Sequence, residues 1–406
     1  MYNSDSRIKT PRLEKLAREG VRLTDFYTAS PTCTVSRACL LTGRIPQRHG
    51  LQRQLPGLEG NYGVGLNPDE TLISQVMQKA GYATGCFGKW NIGFAPGSRP
   101  TERGFDEFLG HASGNMDYYH HVYNGRHDLY RGVEPFEADG EYATDLFANA
   151  AIRFMRSNHA QQKPWFCYLP FNAPHFPNAK NKRPGQPNRW QAPDDAFAAY
   201  GFSPEDADPE RRYMAVVTAL DTAIGRVIDA VDEIGSERTF VFCFSDNGAF
   251  RLNRSGIDVG SNDPLRDGGV TCWEGGIRVP AIARWTGNLP AGKVVSQPLW
   301  SPDLMIAAAK LAGAELPSVV LDGRDPLPCL RGDVPSPHES LYFRYRNHAA
   351  VRMGDWKIVR TQPEQRWALF DLSQDIGETT DLAKRRPRML QKLTAAFNEW
   401  DATFND

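Results

Sequence analysis

Apolar residues recur at helical spacing near the start of the chain and then give way to an alternating run. Pro11 stands at a plausible first helical position, apolar residues follow on one face through Ala17, and Gly20 marks the end. Residues 21–30, VRLTDFYTAS, predict a strand. A second helix pattern follows a polar turn at 33–44, and this succession of helix, strand and helix is typical of α/β architecture.

Further apolar runs predict the other strands of a buried sheet. They end in the sequences GCFGKW, PWFCYLP and TFVFCFSDNG. Near-continuous apolar strands are typical of a parallel sheet that helices cover on both faces. The pattern changes later: LYFRYRNHAAVRMGDWKIVR alternates like hairpin strands, and PRMLQKLTAAFNEWDATF has helical spacing. We therefore predict a large α/β domain over 1–305 and a smaller antiparallel C-terminal subdomain over 306–406.

Composition excludes several classes of protein. Lys and Arg number 47 against 48 Asp and Glu, so the formal net charge of -1 gives no field that would attract nucleic acid or an anionic membrane. No apolar run approaches the roughly 20 residues of a membrane span. The seven cysteines are scattered singly, which predicts no disulfide framework. The sequence shows no export signal, so it leaves the localisation unknown.

Residues with useful chemistry follow the predicted strands. Because the carboxyl ends of parallel strands meet at one edge of a sheet, we expect these residues to share one pocket. Each also has an ordinary structural interpretation: a buried cysteine, a capping arginine, a surface lysine, a loop histidine or a turn-forming Asp-Asn-Gly. The candidates are Cys33, Arg37, Lys89, His175, Asp246 and Asn247.

The stretch CTVSRACLLTGR, residues 33–44, holds the nucleophile candidate. Cys33 enters a predicted helix, where free N–H groups carry partial positive charge, and Arg37 adds a full charge. Both favour an anionic nucleophile or a bound oxyanion. This arrangement suits attack on an anionic ester.

The ordered blocks CTVSRACLLTGR, GKWNIG, NAPHFP, FSDNG, LRDGGVTCWEGGIRVPAIARW, GDWKIVR and LFDLSQDIGETTDLA resemble those of the type I, formylglycine-dependent sulfatases. The resemblance covers nearly the whole chain. It implies an alkaline-phosphatase-like fold, with a mostly parallel sheet flanked by helices and a smaller C-terminal antiparallel sheet. It also implies hydrolysis of sulfate esters, on a sulfated sugar or another small organic sulfate.

The resemblance assigns roles to single residues. Cys33 matches the cysteine that the family oxidises to formylglycine, and Arg37 matches the arginine that holds it. Lys89 matches a sulfate-binding lysine, and His175 matches the histidine that faces the leaving group and, if protonated, donates to it. Asp246 and Asn247 match two calcium ligands. A formylglycine-generating maturation enzyme is an implied partner, and a periplasmic or secreted location is the family's usual one.

The sequence departs from the family pattern at four places. The family's first strand, which carries two further aspartate ligands, has no match, so we expect calcium to bind weakly or not at all. Val35 replaces the usual proline of the maturation motif, which makes conversion of Cys33 uncertain. Asn91 replaces a histidine that contacts the formylglycine hydroxyl, and Gly269 replaces a second sulfate-binding lysine. Ser113 loosely matches a serine of the family's site. The predicted substrate-binding residues are therefore Lys89, His175, Asn91 and Ser113.

Two other functions remain open from the sequence. The four departures all fall in the site, so the chain is alternatively a catalytically impaired or inactive member of the fold that at most binds sulfated ligands. A phosphatase or phosphodiesterase is the third interpretation, because that superfamily shares the fold. The chain offers Thr34 and Ser36 as hydroxyl nucleophiles but lacks histidine-rich metal blocks.

Overall fold

A computed structural model describes residues 6–251, 258–332 and 334–404. The helices are α1 Pro11–Glu19, α2 Cys33–Thr42, α3 Pro46–His49, α4 Gly57–Tyr62, α5 Ile73–Lys79, α6 Ala143–Ala160, α7 Asp194–Ala198, α8 Pro209–Ile234, α9 Glu274–Ile277, α10 Asp303–Ala312, α11 Leu327–Arg331 and α12 Pro387–Ala402. Short 3₁₀ turns lie at Pro100–Glu102, Ala179–Asn181 and Ser236–Arg238. None of the helices in the described ranges combines the length and apolar character that a membrane crossing requires.

The strands are β1 Val21–Tyr27, β2 Ala83–Lys89, β3 Glu107–His111, β4 Val122–Tyr123, β5 Arg126–His127, β6 Tyr130–Arg131, β7 Glu134–Pro135, β8 Trp165–Tyr168, β9 Val241–Phe244, β10 Arg278–Arg284, β11 Lys293–Val295, β12 Leu299–Trp300, β13 Leu341–Tyr345, β14 His348–Met353, β15 Trp356–Arg360 and β16 Ala368–Asp371.

The main strands form two five-stranded sheets. One has the order β11-β1-β10-β9, with β12 also paired to β1. The other has the order β7-β6-β3-β2-β8. Strands β8 and β9 are therefore end strands of different sheets, and no ladder joins them in the part of the chain that the structure describes.

The α/β class and the small C-terminal antiparallel sheet are confirmed. The two main sheets contain both parallel and antiparallel strand pairs, whereas the apolar runs alone indicate a parallel sheet. Strand β2 is parallel to β3 and β8, and β1 is parallel to β11 and β12. However, β10 runs antiparallel to both β1 and β9. Strand β10 has the apolar character of a buried parallel strand, so its direction could not be inferred from composition.

Helices cover both faces of these sheets because the strands are apolar on both sides. In β8, Trp165 and Cys167 pack with α6 and α8, whereas Phe166 and Tyr168 pack with α2, α5 and α10. In β9, Cys243 packs towards α1 and α8. This is the three-layer arrangement that near-continuous apolar strands require.

The C-terminal sheet has the order β13-β14-β15-β16, antiparallel throughout, and α12 packs on β14 and β15. The division into 1–305 and 306–406 stays a prediction. A boundary between residues 305 and 306 would fall inside α10, which packs on α2 and α5 of the main unit. The helix belongs by its contacts to the larger part.

Candidate active site

Cys33 is the first residue of α2, as its helix pattern predicts. It is 4% exposed, and its Sγ donates to Gln54 Oε1 at 3.4 Å. The same oxygen accepts the backbone N–H of Thr34 at 3.2 Å. Gln54 therefore fixes the first turn of the helix next to the sulfur. The positive end of the helix dipole faces this position.

Arg37 lies one turn further along α2 and connects three elements. Its Nη1 donates to the Lys89 carbonyl at 2.9 Å and to the Tyr168 hydroxyl at 3.2 Å. Its Nη2 donates to Asp246 Oδ2 at 2.6 Å. Burial lowers the pKa of Arg37, but Tyr168 and Asp246 outweigh it and hold that pKa above its ordinary value. The guanidinium is a fixed cation at the carboxyl ends of β2, β8 and β9.

Lys89 is the last residue of β2 and is only 2% exposed. Burial lowers its pKa, Cys33 raises it, and Arg37 lowers it again, with a net decrease. No salt bridge joins Lys89 to a carboxylate among the described residues. Arg37 and Lys89 thus supply two positive charges, and Asp246 is the carboxylate that Arg37 contacts.

His175 follows β8, and it lines the same cleft as Cys33, Lys89 and Asp246. Its Nδ1 lies 3.2 Å from the Phe176 carbonyl, which can only accept, so Nδ1 carries the proton. Burial and the Lys89 ammonium lower the pKa of His175 to about 3. The ring is therefore neutral near pH 7, with Nε2 as an acceptor. A protonated His175, the form that donates to a leaving group, is not the resting form.

Asp246 and Asn247 follow β9 directly. Burial raises the pKa of Asp246, but the positive charges of Arg37 and Lys89 lower it by more. The net pKa is below the ordinary value, so the carboxylate stays ionised. Asn247 donates its Nδ2 to the Gly248 carbonyl at 2.8 Å. Its Oδ1 is buried and accepts no hydrogen bond from the described residues. An unpaired buried amide oxygen beside a carboxylate is suited to a cation or a water molecule.

These two residues fit a calcium ion only in part. Calcium takes roughly six to eight oxygens, and Asp246 and Asn247 are two side chains, one already engaged by Arg37. No cluster of three or more His, Cys, Asp or Glu side chains arranged for a metal occurs within residues 6–251, 258–332 and 334–404. The donor set present does not make a complete calcium site.

Asn91 belongs to a buried amide network behind Cys33. Its Oδ1 accepts from Thr34 Oγ1 at 3.0 Å and from Gln54 Nε2 at 3.3 Å. Its Nδ2 donates to Asn61 Oδ1 at 2.8 Å. The backbone of Asn91 is left-handed, with φ of 57°, which asparagine tolerates better than most residues. The residue is fully buried, so its contacts are with the chain.

Ser113 is fully buried, and its side chain is occupied by a local turn. Its Oγ donates to the Asn115 carbonyl at 2.8 Å, and its N–H donates to Asp128 at 3.2 Å. Gly269 is likewise closed in: a Cβ there would lie 2.9 Å from Cδ1 of Phe250. The aromatic ring occupies the space into which a side chain at 269 would extend.

Sequence patterns missed three of the residues that build this site. Tyr168 ends β8 as a core residue and contacts Arg37 through its hydroxyl. Gln54 and Asn61 lie outside the recognised blocks, and no spacing in the sequence links them to Cys33. Their contacts come from loop packing, which no local pattern encodes.

The geometry defines a class of protein. Helix α2, Arg37 and Lys89 present positive charge to a buried pocket, and a nucleophile position lies at the helix start, as hydrolysis of an anionic ester requires. The Sulfatase family model matches residues 1–314, so the chain belongs to the sulfatase family of sulfuric ester hydrolases. Its fold is the alkaline-phosphatase-like fold of that family.

Three relatives illustrate the match. N-acetylgalactosamine-6-sulfatase of Mus musculus is 32% identical, over 92% of this chain and 71% of its own. Arylsulfatase A of Bos taurus is 34% identical, over 92% of this chain and 78% of its own. The crystal structure of Ps i-CgsB in complex with k-i-k-neocarrahexaose superposes with a TM-score of 0.85 at 30% identity, covering 98% of this chain and 88% of that one. These matches favour a sulfate ester hydrolase over the inactive alternative.

Proposed function

We propose that this chain removes sulfate from a sulfated sugar, with Cys33 as the precursor of the nucleophile. The observation that carries the proposal is the position of Cys33 at the start of α2, with two buried cations, Arg37 and Lys89, in the same pocket. Relatives named for a sulfated amino sugar and a structure holding an oligosaccharide support the sugar as the substrate class.

Arg37 and Lys89 would bind the sulfate group. A sulfuryl group carries negative charge on its oxygens throughout transfer, and fixed N–H donors stabilise that charge without rearranging. Arg37 is held by three acceptors, so its guanidinium does not have to be ordered when substrate arrives. Lys89 has no carboxylate partner among the described residues and is the cation available to the ligand.

His175 would control the proton on the leaving oxygen. Its pKa of about 3 makes it neutral in the resting protein, partly because Lys89 lies nearby. An anionic sulfate beside Lys89 offsets that positive charge and raises the pKa of His175. The substrate itself would then bring His175 towards the protonated form that donates to the sugar oxygen.

Formylglycine at residue 33 would supply a hydrate with two geminal hydroxyls, one to attack sulfur and one to release sulfate, which a thiol cannot do. All ten residues of α2 are buried, so a maturation enzyme needs access to Cys33 before this helix packs. Val35 is fully buried in the core that contains Tyr27 and Ala29. Val35, which stands where the family motif usually has proline, therefore has a packing role in the folded chain.

Calcium is not assigned a step, because Asp246 and Asn247 alone do not complete its coordination. We expect calcium to bind only at about millimolar concentration, since water must supply the remaining ligands without charge. Calorimetric titration of the full chain measures this directly. Micromolar binding would show that further ligands exist.

The sugar would lie against aromatic rings at the mouth of the pocket. The rings of His175 and Phe176 are 4.4 Å apart, and Phe250 meets Phe176 edge to face at 5.9 Å. Aromatic faces pack against the apolar faces of sugar rings and orient them without charge. This places an apolar wall beside a cationic sulfate pocket.

Two measurements test the proposal. The mass of the tryptic peptide that contains Cys33 distinguishes formylglycine from cysteine. Sulfate release from a panel of sulfated mono- and oligosaccharides, followed by ion chromatography, should be abolished in Cys33→Ala and retained in the matched variant Cys39→Ala of the same helix. An unmodified Cys33 together with no sulfate release would support the inactive alternative.

A further inference from the structure

His175 needs a fixed tautomer and a fixed direction if it is to act on a leaving oxygen. In a neutral imidazole, the hydrogen bond that one ring nitrogen makes decides what the other nitrogen presents. In this protein Nδ1 lies 3.2 Å from the Phe176 carbonyl oxygen, which leaves Nε2 for a substrate. The direction of His175 therefore depends on what holds the Phe176 carbonyl in place.

Asn115 donates to the same carbonyl oxygen. Its Nδ2 lies 2.8 Å from the Phe176 oxygen, which is closer than Nδ1 of His175. A backbone carbonyl oxygen has two lone pairs and can accept from both donors. The shorter bond from Asn115 fixes the position of this oxygen, and the imidazole turns its Nδ1–H towards that position.

Asn115 is itself held by its neighbours. It is 6% exposed, and its backbone carbonyl accepts from Ser113 Oγ at 2.8 Å and from Asn181 Nδ2 at 3.1 Å. Ser113, which the sequence predicts as a substrate contact, thus has its hydroxyl directed at Asn115. These bonds leave the Asn115 backbone little freedom, so its Nδ2 is a preorganised donor.

Tyr118 contacts the loop that carries His175 in a different way. Its hydroxyl donates towards the His175 carbonyl at 3.2 Å and the Asn172 carbonyl at 3.3 Å. The His175 N–H also donates to the Asn172 carbonyl, at 3.0 Å. These bonds hold the loop backbone, whereas the bond from Asn115 ends on the oxygen that the imidazole uses.

The other end of the Asn115 amide carries a cost. Its Oδ1 is buried and accepts no hydrogen bond within the described ranges. A buried amide oxygen without a donor loses free energy, which an apolar side chain of similar shape, such as leucine, would avoid. Stability alone therefore does not account for an asparagine here. The contact that only the amide can make is the one from Nδ2 to the Phe176 carbonyl.

We propose that Asn115 is a positioning residue for His175: its Nδ2 holds the Phe176 carbonyl, and that carbonyl holds the imidazole with Nδ1 protonated and Nε2 directed at the leaving oxygen. The leaving oxygen in this role rests on the proposed function, whereas the tautomer is a property of the free protein. Asn115 acts through His175 and not by binding substrate, so its loss should lower kcat rather than raise KM.

The test variant is Asn115→Leu, which keeps the volume and removes the donor. Its matched control is Asn158→Leu, because Asn158 is 7% exposed and donates its Nδ2 to the Phe154 carbonyl at 2.8 Å within α6. We expect Asn115→Leu to lower kcat by about tenfold with little change in KM, and not to lower the free energy of unfolding. Asn158→Leu should lower the free energy of unfolding and leave kcat unchanged.

Nitrogen-15 NMR of histidine-labelled protein measures the tautomer directly. The His175 signals are assigned by their loss in His175→Gln. At pH 7 the ring is neutral, because its pKa is about 3, so the two tautomers differ in which nitrogen carries the hydrogen. We expect the Nδ1–H tautomer in the unmodified sequence and in Asn158→Leu, and a mixture with Nε2–H in Asn115→Leu.

Two further variants keep the test decisive. Asn115→Ala cannot clash with its surroundings, so it replaces Asn115→Leu if leucine prevents folding, and it should give the same mixture of tautomers. Tyr118→Phe removes a hydroxyl that holds the loop backbone but does not contact the Phe176 carbonyl. It should keep the Nδ1–H tautomer.

Three results would overturn the proposal. One is an unchanged tautomer of His175 in Asn115→Leu and Asn115→Ala. Another is an equal mixture of tautomers in Asn158→Leu or Tyr118→Phe, which would indicate a general loosening of the fold or of the loop. The third is a tautomer change in Asn115→Leu with unchanged kcat. The NMR measurement needs no substrate, so a protein that shows the expected tautomers but releases no sulfate contradicts the proposed function and supports the role of Asn115.

Discussion

Two buried clusters of charge in this protein are organised differently. One joins the main unit to the C-terminal sheet and consists of three acids and three bases: Asp25, Glu274, Glu378, Arg278, Arg352 and Lys357. Its members are almost completely buried and every one is paired; Lys357, for example, lies 2.8 Å from both Glu274 and Glu378. The other is the candidate active site, where Arg37 and Lys89 outnumber Asp246.

The difference separates structural charge from functional charge. Burying a cluster with equal numbers of acids and bases costs desolvation energy, which the attraction between its paired members offsets. Such a cluster has no unpaired charge for a ligand. An unbalanced cluster retains a field, which an anion can neutralise. Surplus charge, rather than burial alone, marks the pocket that binds sulfate in the proposed function. Four predictions test this comparison.

Removing one partner from the balanced cluster should have the largest effect. Lys357→Met leaves Glu274 and Glu378 buried without their shared cation and should lower the free energy of unfolding by about 4 kcal/mol. Urea denaturation measures it. Lys310→Met, which breaks an exposed pair with Asp325, should cost at most about 1 kcal/mol. If Lys357→Met lowers the free energy of unfolding by less than about 1 kcal/mol, the structural role of the cluster is contradicted.

Removing a cation from the unbalanced cluster should impair catalysis, in addition to the stability lost when Asp246 loses its partner. Arg37→Met should lower kcat/KM for sulfate release by about 10²- to 10³-fold, because a preorganised donor to the transition state is lost. Arg44→Met is the control, since Arg44 is paired with Glu70 away from Cys33. It should lose stability but keep kcat/KM. Equal losses of activity in both variants would remove the distinction between the clusters.

Disrupting the amide network behind Cys33 should have a smaller effect on catalysis. Gln54→Ala removes the acceptor for Cys33 and for the Thr34 N–H, so residue 33 should lose orientation and kcat should fall by about tenfold while KM changes little. Gln52→Ala, an exposed neighbour in the same loop, should be neutral. An unchanged kcat for Gln54→Ala would show that α2 alone orients residue 33.

The smallest effect is a change in protonation. Saturating sulfate should raise the pKa of His175 from about 3 by about one unit or more, because it offsets the charge of Lys89. By linkage, sulfate should bind more tightly as pH falls towards that pKa. NMR titration of the imidazole signals measures the shift. His49, whose pKa burial lowers to about 3, lies against Cys39 and should not respond.

The sequence was informative where local patterns and strand order decide the outcome. Apolar strands followed by Lys89, His175 and Asp246 predicted a shared pocket, because strand ends converge in this class of fold. It was uninformative where contacts span loops, as with Gln54, or where a strand's partner decides its direction, as with β10. The resting protonation of His175 depends on burial and on Lys89, neither of which is a property of its own segment.

The ring of Phe250 next to Gly269 limits how this site could change by mutation. A lysine at 269 would meet Cδ1 of Phe250 at its first side-chain carbon, 2.9 Å away. Gly269→Lys alone would therefore be unfavourable, and Phe250→Ala alone would open a gap beside His175 and Phe176. The two substitutions are therefore coupled: a third cation beside Arg37 and Lys89 requires the loss of the Phe250 ring as well as a small backbone shift, because the Gly248 carbonyl oxygen lies 3.0 Å from the same carbon. Single-step selection therefore preserves the apolar wall.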